Sequence, residues 1–293
     1  MKYFWILGIT LLAGCSGNNH KSDAYGNFEA TEIIVSAEAS GKLLAFNVEE
    51  GLTLEAGANV GYIDTVQLSL KRAQLLATRQ SVSAKIANIL AQIDVLKEQR
   101  RVAETDKKRL EKLFGENAAT QKQLDDVNGQ ISVIDRQIVS IETQNAAVLS
   151  DVKSLDAQIA QINDQIHKSV IVNPLRGTVL TKYAEPSEVI AYGKPLYKIA
   201  DLQTMFLRVY ISGDQLPHAA IGQKVHVLID ETKKNNQSLE GEISWISSKA
   251  EFTPKIIQTK EERVNMVYAV KIKIHNDGRL KIGMPGEVNF IKD

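Results

Sequence analysis

The sequence predicts an α+β fold in which a β-rich unit is split by a long antiparallel α-helical hairpin and followed by a small antiparallel β-barrel. Three observations predict it. A heptad seam of apolar residues runs through the middle of the chain. No proline occurs between Met1 and Val172, whereas all six lie from Pro174 onward, so the middle is free of helix breakers. Short β-type segments punctuated by glycine flank the helical part on both sides, and the two flanks echo each other.

The chain opens with a targeting segment. Lys2 supplies a positive charge, Tyr3 to Leu12 an apolar run, and Leu12-Ala13-Gly14-Cys15 a small-residue close. The apolar run falls well short of the roughly 20 residues that span a bilayer, so cleavage is expected at residues 1–14. Leu-Ala-Gly-Cys in this setting resembles the bacterial lipoprotein box, which makes Cys15, the only cysteine, the lipidation site and a stable anchor to a membrane surface. Polar residues from Ser16 onward read as a tether over 15–27.

The second arm of the hairpin carries the clearest signal. Leu124, Val127, Ile131, Ile134, Ile138, Ile141, Asn145, Val148, Val152, Leu155, Ile159, Ile162 and Ile166 recur at steps of three and four, broken only by Asn145. At this apolar content the chance of such a run is about 4 in 10,000 per register. The first arm is looser: Leu68, Leu75, Val82, Ile86, Ile89, Ile93, Leu96, Ala103, Leu110 and Phe114 share their seam with Arg72, Arg79, Arg100 and Lys107. Each arm, at about 45 to 47 residues, reaches roughly 70 Å. Between them Phe114 to Thr120 reads as a tight reversal, with Gly115 as C-cap and Thr120 as the next N-cap.

The flanks are short strands. Before the hairpin come Ile33 to Val35, Lys42 to Val48 and Val60 to Ile63; after it come Val170 to Val172, Gly177 to Leu180, Glu188 to Ile190 and Pro195 to Ile199. Ser40-Gly41-Lys42-Leu43 parallels Arg176-Gly177-Thr178-Val179, Glu50-Gly51 parallels Glu188-Val189, and Gly57 before Val60 parallels Gly193 before Leu196. Two such halves forming one sandwich would bring the ends of the inserted hairpin side by side. From Leu202 onward longer alternating strands, Phe206 to Ile211, Gln223 to Ile229, Gly241 to Ile246, Val264 to Ile274 and Gly286 to Phe290, suggest the barrel.

Composition narrows the function. Lys plus Arg and Asp plus Glu each number 35, so no net field draws nucleic acid, and none is expected as a partner. His20, His167, His218, His226 and His275 lack ligand spacing, and neither a nucleophile elbow nor a phosphate-binding glycine loop occurs. The chain reads as a non-enzyme without a metal site.

This succession resembles the membrane fusion protein (HlyD-type) family of periplasmic adaptors. The residues that carry the resemblance are Ala37 to Asp64 with Gly41, Gly51 and Gly57, Asn173-Pro174-Leu175-Arg176-Gly177-Thr178-Val179, and Leu280 to Val288, which resembles the family's barrel-closing element. The resemblance implies a lipoyl-like β-sandwich over 28–66 and 169–201, a coiled-coil hairpin over 67–168 and a barrel over 202–293. Glu251 to Lys255 with Gln258 to Arg263 resembles a subgroup serving ABC-type exporters. Only Asn289 to Asp293 follow the closing element, whereas adaptors of resistance-nodulation pumps usually continue into a further domain, so an ABC-type partner is expected.

The same resemblance assigns Arg109, Leu113 and Thr120 to the family's tip motif for docking a TolC-type outer-membrane channel, with Thr120 in place of the usual Ser. Read from the residues alone, Arg109 is a solvated charge, Leu113 part of the core and Thr120 a plain N-cap. The family also implies export of small molecules such as drugs, and a ring of six copies. It implies no lipoyl or biotinyl cofactor, because the hairpin replaces the turn that bears the carrier lysine. Ser16 resembles an outer-membrane sorting signal, whereas an inner-membrane transporter calls for the inner membrane. A second reading is an envelope lipoprotein that serves as a scaffold or binds a ligand in its barrel, without a transporter partner.

Overall fold

The computed structural model describes residues 22–232, 235–252 and 266–290. Along the chain come strands β1 (Ala24–Glu29), β2 (Glu32–Ser36), β3 (Gly41–Phe46), β4 (Thr53–Leu54) and β5 (Asn59–Ile63), then helices α1 (Val66–Gly115) and α2 (Gln121–Lys168). Strands β6 (Val170–Val172), β7 (Gly177–Lys182), β8 (Val189–Ile190) and β9 (Pro195–Ala200) follow. The last part holds β10 (Thr204–Ser212), β11 (Lys224–Asp230), β12 (Asn236–Ile246), β13 (Glu251–Phe252), β14 (Met266–His275) and β15 (Pro285–Phe290). The chain divides into two compact units, Ile34–Leu175 with Val179–Lys198, and the remainder.

In the first unit the two flanks of the hairpin interleave. One sheet has the order β2-β9-β7-β4 and the other β6-β5-β3-β8, so exchanging β2–β5 for β6–β9 converts one order into the other. Backbone hydrogen bonds obey the same exchange. Ala37 N donates to Lys194 O and Gly193 N to Ala37 O, while Asn173 N donates to Ala58 O and Gly57 N to Asn173 O, all at 2.8–2.9 Å. The repeat is therefore a pseudo-two-fold, and it corrects one alignment: Gly51, with a left-handed φ of 84°, corresponds to Ser187 at 76° rather than to Glu188-Val189.

The hairpin enters and leaves this unit at one place. Tyr62 pairs with Val170 and Ile63 N donates to Ser169 O at 2.8 Å, so the insertion closes without a linker. Asn173 locks the junction from inside. Fully buried, it donates from Nδ2 to Glu55 O (2.8 Å) and Leu175 O (2.5 Å) and accepts from the Tyr197 hydroxyl (2.9 Å). Every polar atom of the amide head that can bond inside is thereby used, which removes the cost of burying it.

The second unit is a six-stranded barrel, closed in the order β10-β1-β15-β11-β12-β14 and back to β10, with β13 added along β14. Strict alternation on β10 turns Met205, Leu207, Val209 and Ile211 inward onto Val225, Val227, Ile272 and Val288. Residues 15–21 of the tether expected over 15–27 lie outside the described residues, but its end and the start of the sandwich half expected at 28 give way to barrel: Ala24–Glu29 is strand β1, and Phe28 is buried in the barrel core. Its signal is weak because Gly26 and Asn27 interrupt the apolar alternation. Gly26 lies opposite Gly286, and a Cβ on it would come within 1.8 Å of Arg208 O, so side chains are excluded where β1 wedges between its neighbours. Leu280 to Val288 joins the barrel as expected of a closing element: Gly283 N donates to Phe28 O, Phe28 N to Met284 O, and β15 pairs with both β1 and β11.

Candidate functional site: the hairpin tip

Both helices are longer than expected, 50 and 48 residues, which gives arms of about 75 and 72 Å. Ile93, Ala103, Ile134 and Ile138 form the buried centre of the seam, flanked by Ile89, Leu96, Ile131 and Ile141. Two of the four basic residues on the α1 seam meet acids across it. Arg79 pairs with Asp156, and Arg100 with Asp135 at 2.6 Å. These pairs fix the antiparallel register more than they add stability, since all four side chains remain close to half exposed.

The reversal at the far end is built from two helix caps. Helix α1 ends on Gly115 with Glu116 as its C-cap, and the left-handed residue is Asn117 at φ 61°. The C-cap expected at Gly115 is thus shifted by one residue. Asn117 N donates to Phe114 O (3.0 Å) and Ala118 N to Leu113 O (2.8 Å), the paired bonds of a Schellman motif, with asparagine filling the place glycine usually takes. Helix α2 starts with a capping box. Thr120 Oγ1 accepts from Gln123 N (3.3 Å), and Gln123 Oε1 accepts from Thr120 N (2.8 Å). The Thr120 hydroxyl also donates to Gln123 Oε1 at 3.0 Å.

The three tip residues sit in three different settings. Arg109 projects into solvent, its side chain 71% exposed, with Asp106 one turn back at 3.5 Å. Leu113 is half-buried, and the neighbouring Phe114 is 40% exposed. Thr120 is exposed but spends its hydroxyl on the capping box, so its local role is to start α2. Phe114, expected in the seam, is instead exposed and adds a second apolar side chain to the end of the hairpin. An exposed guanidinium one helical turn from a half-buried leucine is a combination enriched in protein interfaces.

Other candidates fall elsewhere. Cys15, and the Thr253 to Arg263 stretch of the exporter-type segment, lie outside the described residues. Among the described residues no cluster of His, Cys, Asp and Glu could hold a metal ion, and no helix is long and apolar enough to cross a membrane. The main titration shifts are structural. Burial pushes the Tyr197 phenol up to about 12, and carboxylates of Glu185 and Glu49 around Lys182 hold its ammonium above the usual lysine range.

Comparison with solved structures places the fold. MacA from Actinobacillus actinomycetemcomitans superposes with a TM-score of 0.59 at 21% identity, covering 91% of this chain and 76% of that one. The membrane fusion protein Spr0693 from Streptococcus pneumoniae R6 gives 0.55 at 18% identity, covering 92% and 98%. The chain has the fold of these proteins. In sequence it is similar to the UPF0194 membrane protein of Yersinia pseudotuberculosis serotype O:3, 26% identical over 314 residues that cover 96% of this chain and 94% of the relative. The UPF0194 membrane protein YbhG of Salmonella gallinarum is 24% identical over 291 residues, covering 91% and 87%. No protein-family model matches the chain.

Proposed function

We propose that this chain is the periplasmic adaptor of a tripartite efflux or secretion system, coupling an inner-membrane ABC-type exporter to a TolC-type outer-membrane channel. The observation that carries the reading is the fold shared with MacA and the membrane fusion protein Spr0693 over nine-tenths of the chain. In this reading the two-sheet unit is the lipoyl-like domain. It and the barrel serve the transporter, the long hairpin reaches toward the channel, and Arg109 and Leu113 make the contact. Cys15 carries the lipid anchor, at the inner membrane where the exporter lies. Six copies ring a conduit for small molecules such as drugs. The adaptor performs no chemistry of its own; ATP hydrolysed by the exporter drives transport.

The variant Arg109→Ala with Leu113→Ser tests this. Arg109 is exposed and Leu113 only half-buried, so the fold and expression level should persist while export falls by about tenfold or more, the effect expected when interface anchors are truncated. Undiminished export by a normally expressed double variant would remove the tip from the mechanism.

A further inference from the structure

The two ends of the barrel differ in chemistry. Because its strands are antiparallel, β1, β11 and β14 start at one end, where β10, β12 and β15 finish. That end carries Tyr25 on β1, Ile221 just before β11, Trp245 near the close of β12 and Met266 at the head of β14, which are 52%, 69%, 41% and 56% exposed. The turns at the opposite end expose mostly charge: Asp230 and Glu231 after β11, and Asp277, Arg279 and Lys281 between β14 and β15. Among the described residues of those turns, Ile282 is the large apolar side chain that is exposed.

Singly, an exposed apolar side chain is ordinary. Here they are distributed around the circumference, since β1, β11, β12 and β14 occupy different places in the barrel order. Side chains spaced around one rim can all touch a flat surface laid across the barrel end, whereas a partner on one flank would meet only some of them. Trp245 also has a cationic neighbour, with Lys271 Nζ 5.9 Å from the centre of its ring. An indole beside an ammonium suits a membrane–water boundary, where the ring buries its carbon and the amine reaches phosphate.

The length of chain before β1 selects the occupant. The chain enters the barrel at the apolar end, where Asp23 N donates to Val288 O at 2.9 Å. Ala24 follows Cys15 by nine positions. A residue extends the chain by at most about 3.6 Å, so a lipid on Cys15 holds the head of β1 within roughly 32 Å of the membrane. We propose that the barrel end bearing Tyr25, Ile221, Trp245 and Met266 rests in the headgroup region of the phospholipid bilayer, so that the barrel meets the membrane directly as well as through its lipid. The four side chains carry no charge, so the contact requires no anionic lipid. The inference rests on the reading of Cys15 as the anchor.

The sequence supplies the probe, because its two tryptophans are Trp5, in the leader, and Trp245. The full chain carrying Trp5→Phe is expressed, purified as the cell processes it, and reconstituted into phosphatidylcholine vesicles with or without bromine on the acyl chains. Brominated lipid should quench Trp245 by about half or more, as for an indole at the membrane interface. A Lys281→Trp probe in a Trp245→Phe chain sits a strand's length away, roughly 20 Å, and should be left unquenched. No quenching at Trp245, or equal quenching at both probes, overturns the proposal. Ile221→Glu with Met266→Glu removes apolar surface from the rim and lies outside the barrel core, so circular dichroism should be unchanged. This variant should still float with the vesicles, while quenching of Trp245 falls about threefold or more; unchanged quenching overturns the proposal. The mass of the peptide containing Cys15 reads the anchor separately. If that cysteine is unmodified the anchor reading fails, and coupling its thiol to a maleimide phospholipid sets the same chain on the vesicle, so the rim is decided in either case.

Discussion

Tyr197 and Asn173 show how much of the two-sheet unit hangs on single side chains. Tyr197→Phe leaves Asn173 Oδ1 buried without its donor, which should cost about 1–3 kcal/mol in denaturant unfolding. The phenol also sets a pH dependence. Because its folded value is raised from 10 to about 12, the folded state holds the proton more tightly than the unfolded one. Its contribution is complete below pH 10 and declines as pH rises toward 12. Lys182, also raised, acts in the same direction. Stability measured from pH 9 to 12 should therefore fall more steeply in the native protein than in Tyr197→Phe; parallel curves would contradict the assignment. Asn173-Pro174-Leu175-Arg176-Gly177 was legible as a motif, but the reason for its asparagine was not. Glu55 and Tyr197, which satisfy it, lie far away in the chain.

Among the elements, the hairpin was the most legible because its signal is local and periodic. A seam position is fixed by residues three and four away, so the sequence alone locates both arms and the reversal. What it does not reveal is the pairing of Arg79 with Asp156 and Arg100 with Asp135, which depends on register between the arms. Asn145 is the one polar break in the α2 seam, and its Oδ1 is buried without a hydrogen-bond partner. Asn145→Leu should stabilise the hairpin by about 1 kcal/mol and raise the melting temperature, since it removes an unsatisfied carbonyl and restores the seam. A lowered melting temperature would show that the amide contributes to packing. Strand β1 was the least legible element. Six residues containing Gly26 and Asn27 carry no clear period, and their partners β10 and β15 lie in the last third of the chain. The tight Gly26 and Gly286 crossing that makes those residues necessary exists only once the barrel closes.

At the scale of the whole chain, the duplicated sheets explain how a long insertion is tolerated. Strands β5 and β6 are neighbours in one sheet, so the two helices leave and return at a single edge, and the interleaved halves hold together on either side. The tip is then the part of the hairpin farthest from that anchorage, and Arg109 is the exposed, charged member of the pair proposed to dock there. The measurement that tests the adaptor account most directly is photo-cross-linking from position 109 of the full-length protein in living cells, followed by identification of the captured chain. The account predicts an outer-membrane channel protein; capture of only this chain itself, under conditions where the channel is present, would contradict it.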